Sequence, residues 1–275
     1  MNKHTNTIST LALILGLSMA SFTGYAQGMY ASFNAGYNFA SGAQTLSVNT
    51  TTTANSDISE AVNISLGKGI NLSGAFGYAF SSTISAELGV AYLLSAKHEA
   101  IDNDETRPRI RTEEYGGSML KITPALAFTV PLEGSLQPYA KIGVVLGFGN
   151  TTYTFTNNDI ANTRLDIEEW EFKGGLGIGL NSGFGTFYSL SDKMRLFGEL
   201  NITALNYTPK EGELIVATRN GVDELPGLDT IDKEISFVET VDNNANIPIT
   251  SPDQVLQLKL PYGSIGINVG VIISF

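Results

Sequence analysis

The sequence predicts an all-β fold, a transmembrane up-and-down antiparallel β-barrel of eight strands that close on one another. Three observations lead there. A two-residue alternation of large apolar with small or polar side chains recurs eight times along the chain. The connections between these stretches alternate, short after the second, fourth and sixth, long after the first, third, fifth and seventh. Beyond the first residues no apolar run reaches the ~20 residues of a spanning helix, so a membrane could be crossed only by strands.

Composition agrees with this class. The 275 residues include 29 glycines and only 16% charged residues, an unusual pairing for a soluble domain. A formal net charge of −11 argues against a nucleic-acid partner, since phosphate binding needs a basic surface. With no cysteine, disulfides and thiol chemistry are excluded. At the N-terminus, Lys3 and His4 precede the apolar run 11–17, and Gly24 and Ala26 lie three and one before a cut that would leave Gln27 first. This pattern predicts a cleaved secretory signal peptide over 1–26 and a barrel over 27–275.

The first strand, 28–40, sets Met29, Ala31, Phe33, Ala35, Tyr37 and Phe39 against Ser32, Asn34, Gly36 and Asn38. A Ser/Thr/Asn-rich loop follows. The second strand, 62–80, carries Ile70, Leu72, Phe76 and Tyr78 on one face, and a tight turn at 81–83 leads to the third, with Ile84, Leu88, Val90, Tyr92 and Leu94. After a charged loop, 97–114, the fourth strand shows Leu120, Ile122, Leu126 and Phe128, with a bulge expected at Pro124 because proline cannot donate to a ladder. The fifth alternates from Ala140 to Gly149, and the sixth from Trp170 to Asn181 after a polar loop at 157–166. The seventh runs from Leu196 to Ala204. The longest loop, 210–253, precedes the last strand, where Ile265, Ile267, Val269, Val271, Ile273 and Phe275 oppose Ser264, Gly266, Asn268, Gly270 and Ser274. Ile272 breaks that alternation, and Leu256, Leu258 and Leu260 are out of phase with it, so a one-residue bulge is expected near 261–263. Aromatic girdles are expected at Phe80, Phe128, Tyr139, Phe184 and Tyr188 on one rim and at Tyr37, Phe39, Tyr92, Phe148 and Trp170 on the other.

Short turns on one side and long loops on the other mark outer-membrane barrels. With the signal peptide, the eight strands and the terminal Phe275, the chain resembles the small eight-stranded outer-membrane barrels, the OmpA-barrel, OmpX and OmpW group. The resemblance implies outer-membrane localisation after export through the periplasm, and contact with outer-membrane lipid and lipopolysaccharide. It also implies an assembly signal at Val269, Val271, Ile273 and Phe275 read by the barrel-assembly machinery. No periplasmic domain like that of the OmpA type is expected after the strands.

Eight strands leave an interior that side chains can just fill. Inward positions place Glu87, Lys121, Lys141, Glu171, Lys173, Glu199 and Lys259 there as a lumen charge network, with Glu87, Lys141 and Glu199 at similar heights and expected to approach one another. Pairing should follow, because an unpaired buried charge costs several kcal/mol. A salt-bridged, plugged lumen with a structural and surface-interaction role through acidic loops is the first functional reading. The alternative is a porin-like narrow channel for small or hydrophobic solutes, as in the OmpW group. A secreted lipocalin-like barrel fits the length and aromatic belts less well.

From Glu211 to Asp253 the long loop holds ten acids against Arg219 and Lys233, which suits a solvated surface loop or a weak divalent-cation or extracellular-ligand site. Arg107, Arg109 and Arg111 share one face and either meet lipid phosphates or balance neighbouring acids. The one histidine after residue 26, His98, stands beside Glu99 near Ser95, but adjacent strand residues point apart, so no enzyme is expected. No cofactor, no catalytic residue and no metal site is predicted, and the protein is expected to be a monomer.

Overall fold

The computed structural model describes residues 28–242 and 246–275; the predicted signal peptide lies outside them. In chain order the strands are β1 (Gly28–Ala40), β2 (Gln44–Thr52), β3 (Asp57–Ile64), β4 (Gly69–Ala79), β5 (Ile84–Ser95) and β6 (His98–Asp104). Then come β7 (Arg109–Thr129), β8 (Leu136–Asp159), β9 (Arg164–Lys173), β10 (Gly177–Ser189), β11 (Met194–Tyr207) and β12 (Glu211–Arg219). The remainder are β13 (Val222–Asp223), β14 (Glu234–Val238), β15 (Asp253–Leu256), β16 (Leu260–Pro261) and β17 (Ser264–Ser274).

Eight of these, β1, β4, β5, β7, β8, β10, β11 and β17, form antiparallel ladders with their chain neighbours, and β17 pairs with β1, so the ring closes. Closure leaves these strands no open edge. The seam runs from Tyr30↔Ser274 to Ala40↔Ser264, with Phe33 opposite Val271 and Tyr37 opposite Ile267. Phe33, Phe76, Ile178, Leu180, Val269 and the other large apolar residues of the outward phase are exposed on the outside of the ring, where lipid would cover them.

The long connections are built largely of strand. β7 and β8 continue in one unbroken register from Thr129↔Tyr139 to Arg109↔Asp159. The upper part of that hairpin is flanked by β6 and β9, and the sheet extends through β2 and β3 on one side and β12, β14 and β15 on the other. A β-walled extension therefore stands on the loop end of the ring.

Several boundaries depart from the sequence reading. Residues 62–64 belong to β3; the chain then turns inward, and β4 begins only at Gly69. The expected sixth strand is two strands in different phase. Gly174 (φ 81°) breaks the chain after β9, and the ring strand β10 starts at Gly177. Phe172 of β9 lies opposite Thr151, whose hydroxyl bonds the buried Tyr262, so Phe172 and Trp170 face inward and Trp170 is not a girdle residue. Tyr139 is likewise buried inside the ring.

Neither expected bulge forms. The β7–β8 ladder omits Thr123 and Pro124 and resumes at Ala125↔Gly143 in the same register, while Pro124 stays opposite Leu88 of β5. The missing donor thus costs bonds to one neighbour without shifting the strand. At 261–263 the pairing with β11 also keeps register, from Tyr207↔Leu260 through a Tyr262 N–H bond to the Leu205 carbonyl (2.9 Å) to Thr203↔Ser264. Leu260 is out of phase because it points into the ring.

The seam is held close by glycine. A methyl group on Gly36 would come within 2.3 Å of the Ile267 carbonyl oxygen and 2.1 Å of Asn268 Oδ1. Gly36→Ala is expected to destabilise the barrel by at least ~1–3 kcal/mol, read as a lowered urea midpoint in detergent. Gly198→Ala, with nothing within 4 Å of the added atom, should stay within ~0.5 kcal/mol of the parent.

Candidate functional site in the ring interior

The inward face of each ring strand is graded along its length. On β11 the inward side chains read Phe197, Glu199, Asn201, Thr203, Leu205 and Tyr207 from turn end to loop end. On β17 and just before it they read Ile272, Gly270, Asn268, Gly266, Ser264, Tyr262 and Leu260. Apolar, polar and apolar residues therefore stack as three layers inside the ring.

The turn-end layer consists of Tyr30, Tyr139, Phe187, Phe197 and Ile272, all buried. Tyr139 and Phe187 stack with ring centroids 4.0 Å apart, Phe197 meets both edge-on, and the Arg195 guanidinium lies 4.9 Å from the Phe187 centroid. Such pairs are worth ~0.5–1.5 kcal/mol each beyond the area they bury. On the turn side of this layer a vestibule of about 420 Å³ is lined by Tyr30, Glu87, Asp192, Arg195 and Phe275 among others.

The middle layer is polar. Lys141 Nζ stands 2.7 Å from Glu199 Oε2, and the Tyr139 hydroxyl donates to the same oxygen at 2.8 Å. Asn201 donates to the other Glu199 oxygen (3.3 Å), and Asn181 bridges Asn201 and Thr203 at 2.9 Å each. Glu87 accepts from the Tyr30 hydroxyl at 2.8 Å. Glu87, Lys121, Lys141 and Glu199 line one cavity of about 70 Å³ together with Asn34, Asn71, Thr123 and Asn268. Among the described residues Glu87 has no ion pair within 4 Å, so Lys141 and Glu199 form the close pair and Glu87 shares their cavity.

The loop-end layer is a hydrophobic core of Ile64, Leu66, Leu93, Met119, Val145, Leu205, Tyr207, Leu260 and Tyr262. These come from strands on opposite sides of the ring, so they can meet only through its interior. The segment after β3 dips into this mouth and is tied there. Ser65 Oγ donates to the Gly263 carbonyl (2.6 Å), Leu66 N–H to that of Pro261 (2.8 Å), and Ser95 Oγ to that of Leu66 (2.5 Å). The ring of His98 approaches the Ser65 carbonyl at 3.0 Å, and burial holds its imidazole below the usual pKa. Sequence reasoning missed this core. Its signal is the inward phase, which stays apolar through Leu93, Leu205, Tyr207 and Tyr262.

Three residues expected in the lumen lie elsewhere. Lys259 is exposed between β15 and β16, because the inward phase there belongs to Leu258 and Leu260. Glu171 and Lys173 sit on the outer face of β9, where Asn150 donates to Glu171 and Lys173 Nζ reaches Glu171 (3.3 Å) and Glu213 (2.9 Å). Val269, Ile273 and Phe275 point outward and are exposed.

The extension balances its charges locally. Arg111 meets Asp102 at 3.7 Å, and Arg107 and Arg109 meet Asp104 at 3.9 and 4.0 Å. Among the described residues no three histidine, aspartate or glutamate side chains are placed to hold a metal ion. Asp166 takes hydrogen bonds from Arg164 (2.9 Å), Arg219 (3.1 Å) and Asn157 (3.2 Å), joining β8, β9 and β12. Burial alone would raise the Asp166 pKa, yet those three donors hold it below the ordinary carboxylate range.

The chain matches, over residues 9–221, the model of a family described as outer membrane protein beta-barrel domain. The match ends before β17, whose place in the ring is given by its ladders to β1 and β11. No curated protein matches the chain.

Two outcomes are expected. Lys141→Met alone leaves Glu199 buried without its cation and should cost ~3–5 kcal/mol. Lys141→Met with Glu199→Gln, which keeps an acceptor for Tyr139, should recover most of it in urea titrations. For Asp166, a folded pKa below the unfolded value means stabilisation that is complete above the ordinary carboxylate pKa. It is lost as pH falls through that value, ~3.9, and then through the lower folded one. Amide protection factors along β9 and β12 should fall over that window, and Asp166→Asn should remove the dependence.

Proposed function

Because the chain belongs to the outer membrane protein beta-barrel domain family, we propose that it is an outer-membrane barrel with a closed lumen, exported through the periplasm, whose role is structural and surface-interactive. The observation that carries this reading is the loop-end core. Ile64, Leu66, Met119 and Tyr207 have no exposed surface, and Leu93, Val145 and Tyr262 have 1% each. A dry, well-packed layer of this kind across an eight-stranded interior stops ions, because hydration is stripped with nothing to replace it. The aromatic layer at the turn end supports the same conclusion from the other side. Closure would then rest on apolar packing at both ends, with the Lys141–Glu199 pair between them.

The extension is the surface-facing part on this reading. Glu211, Glu213, Asp223 and Asp232 are exposed, so an external partner would meet an acidic, β-walled face and not a mobile loop. The outward row Val269, Val271, Ile273 and Phe275 is proposed as the contact for the barrel-assembly machinery. One observation favours the channel alternative. The vestibule and the polar cavity share Glu87, so only the aromatic layer divides them.

Planar-bilayer recording separates the readings. The parent protein should give no steady openings. Replacing both layers (Met119→Ala and Tyr262→Ala with Phe187→Ala and Phe197→Ala) should produce them. Steady, lumen-blockable conductance from the parent protein would overturn the closed-lumen reading and establish the narrow channel.

A further inference from the structure

We propose that the polar chamber between the two apolar layers is a binding site for a small monovalent anion of the halide type, held by Lys121. Lys121 sits on the inward face of β7, directly on the turn side of Met119, and is only 7% exposed. Its cross-strand partners are Ala91 on β5 and Gly147 on β8, which carry no side-chain acceptor. Among the described residues it has no ion pair and no hydrogen bond, yet its side chain lines the cavity.

The carboxylates of the chamber are engaged elsewhere. Glu199 is taken by Lys141 and Tyr139. Glu87 is bonded by Tyr30 and stands level with Ala125, four residues along the ladder from the Lys121 level. Among the described residues no Glu87 oxygen comes within 4 Å of Lys121 Nζ. Four charged groups line the chamber itself, Glu87 from β5, Lys121 from β7, Lys141 from β8 and Glu199 from β11, while Arg195 and the exposed Asp192 line the vestibule. Lys141 takes Glu199 and Tyr30 takes Glu87, which among the described residues leaves Lys121 as the cation of the chamber with no carboxylate within 4 Å.

An unpaired ammonium in a low-dielectric interior is costly, and it must either lose its proton or gain a counter-ion. The chamber offers room for the second solution. A cavity of about 70 Å³ takes one halide with some of its hydration water, on the order of five water-sized volumes in all. Nucleotides and lipid headgroups are too large for it. The Lys121 ammonium, the Thr123 hydroxyl and the amides of Asn34, Asn71 and Asn268 line it, beside Glu87 and Glu199, whose oxygens Tyr30, Tyr139 and Lys141 engage. Asn71 Oδ1 and Asn268 Oδ1 are buried there without a donor. Water hydrating the anion supplies the donors they lack. The ion is taken up during folding and then exchanges slowly, a kinetic feature that rests on the closed-lumen reading.

The test uses the full chain refolded in bromide and crystallised. Anomalous scattering should show bromide within hydrogen-bond distance of Lys121 Nζ. At constant ionic strength, the detergent-solubilised barrel should also unfold several degrees higher in bromide or chloride than in methanesulfonate. Lys121→Met should remove the bromide peak and the halide dependence while leaving the ring folded, as judged by heat-modifiable gel migration; Lys121→Gln serves where the methionine variant does not fold. No bromide at Lys121, or an equal halide effect in the variant, would overturn the site. Bilayer recording keeps the two proposals apart: bromide at Lys121 in a conducting barrel defeats only the closed lumen, and an empty chamber in a silent barrel defeats only the anion site.

Discussion

Ring closure is the constraint on which the rest of this structure depends. In a bilayer no water can satisfy an open strand edge, so every ladder bond of the ring must be made within it, including the seam between the first and last strands. Here that seam is an uninterrupted register from Tyr30↔Ser274 to Ala40↔Ser264. Once it is closed, the phase of all eight strands is fixed together. A slip of one residue would turn Phe33 and Val271 inward and Asn34 and Asn268 toward lipid. Asn38 and Asn268 also lie across the seam from Gly266 and Gly36, so the strands approach closely where inward polar side chains would otherwise crowd.

The same constraint dictates the interior. With the outward phase given over to lipid, the inward phase must fill a narrow space whose ends face water and whose middle does not. The chain fills it with rings and aliphatic groups at both ends and with amides, hydroxyls and a tight ion pair between. Of the charges expected there, Lys141 and Glu199 make the pair in the middle layer. The buried pair is stabilised by Tyr139, which belongs at once to the aromatic layer and to the polar one. Packing the interior and satisfying its charges are therefore one problem.

Much of this was legible from alternation alone. The eight strands, the order of short and long connections and the outward phase follow from a period of two, and β1 and β5 have the bounds that the period predicts. Failures arose where period two continued while its meaning changed. Trp170 and Phe172 alternate as a lipid-facing strand would, but Gly174 resets the phase and turns them inward. Leu260 read as a slip, and Ile272 as a flaw, because both were measured against an apolar-out rule. In fact each is the inward residue at one end of the lumen. The dip at Ser65 and Leu66 was hidden for another reason. Its anchors are hydrogen bonds to carbonyls at Gly263 and Pro261, about two hundred residues away, which no local pattern records.

The extension follows from the ring as well. β7 has 21 residues and β8 has 24, roughly twice what crossing a bilayer requires, and they share one register throughout. A hairpin that leaves the membrane without a break carries its twist and stiffness with it. The strands that pair onto it, β6 and β9 first and then β2 and β12, are positioned by that ladder and not by loop closure. Asp166 sits where β8, β9 and β12 meet, bonded from all three strands by Asn157, Arg164 and Arg219. The acid-bearing face of β12 is thus built on the same hydrogen-bonded frame that closes the ring. A change to the ring's register would be felt at that face, whereas a change at its exposed side chains need not reach the ring.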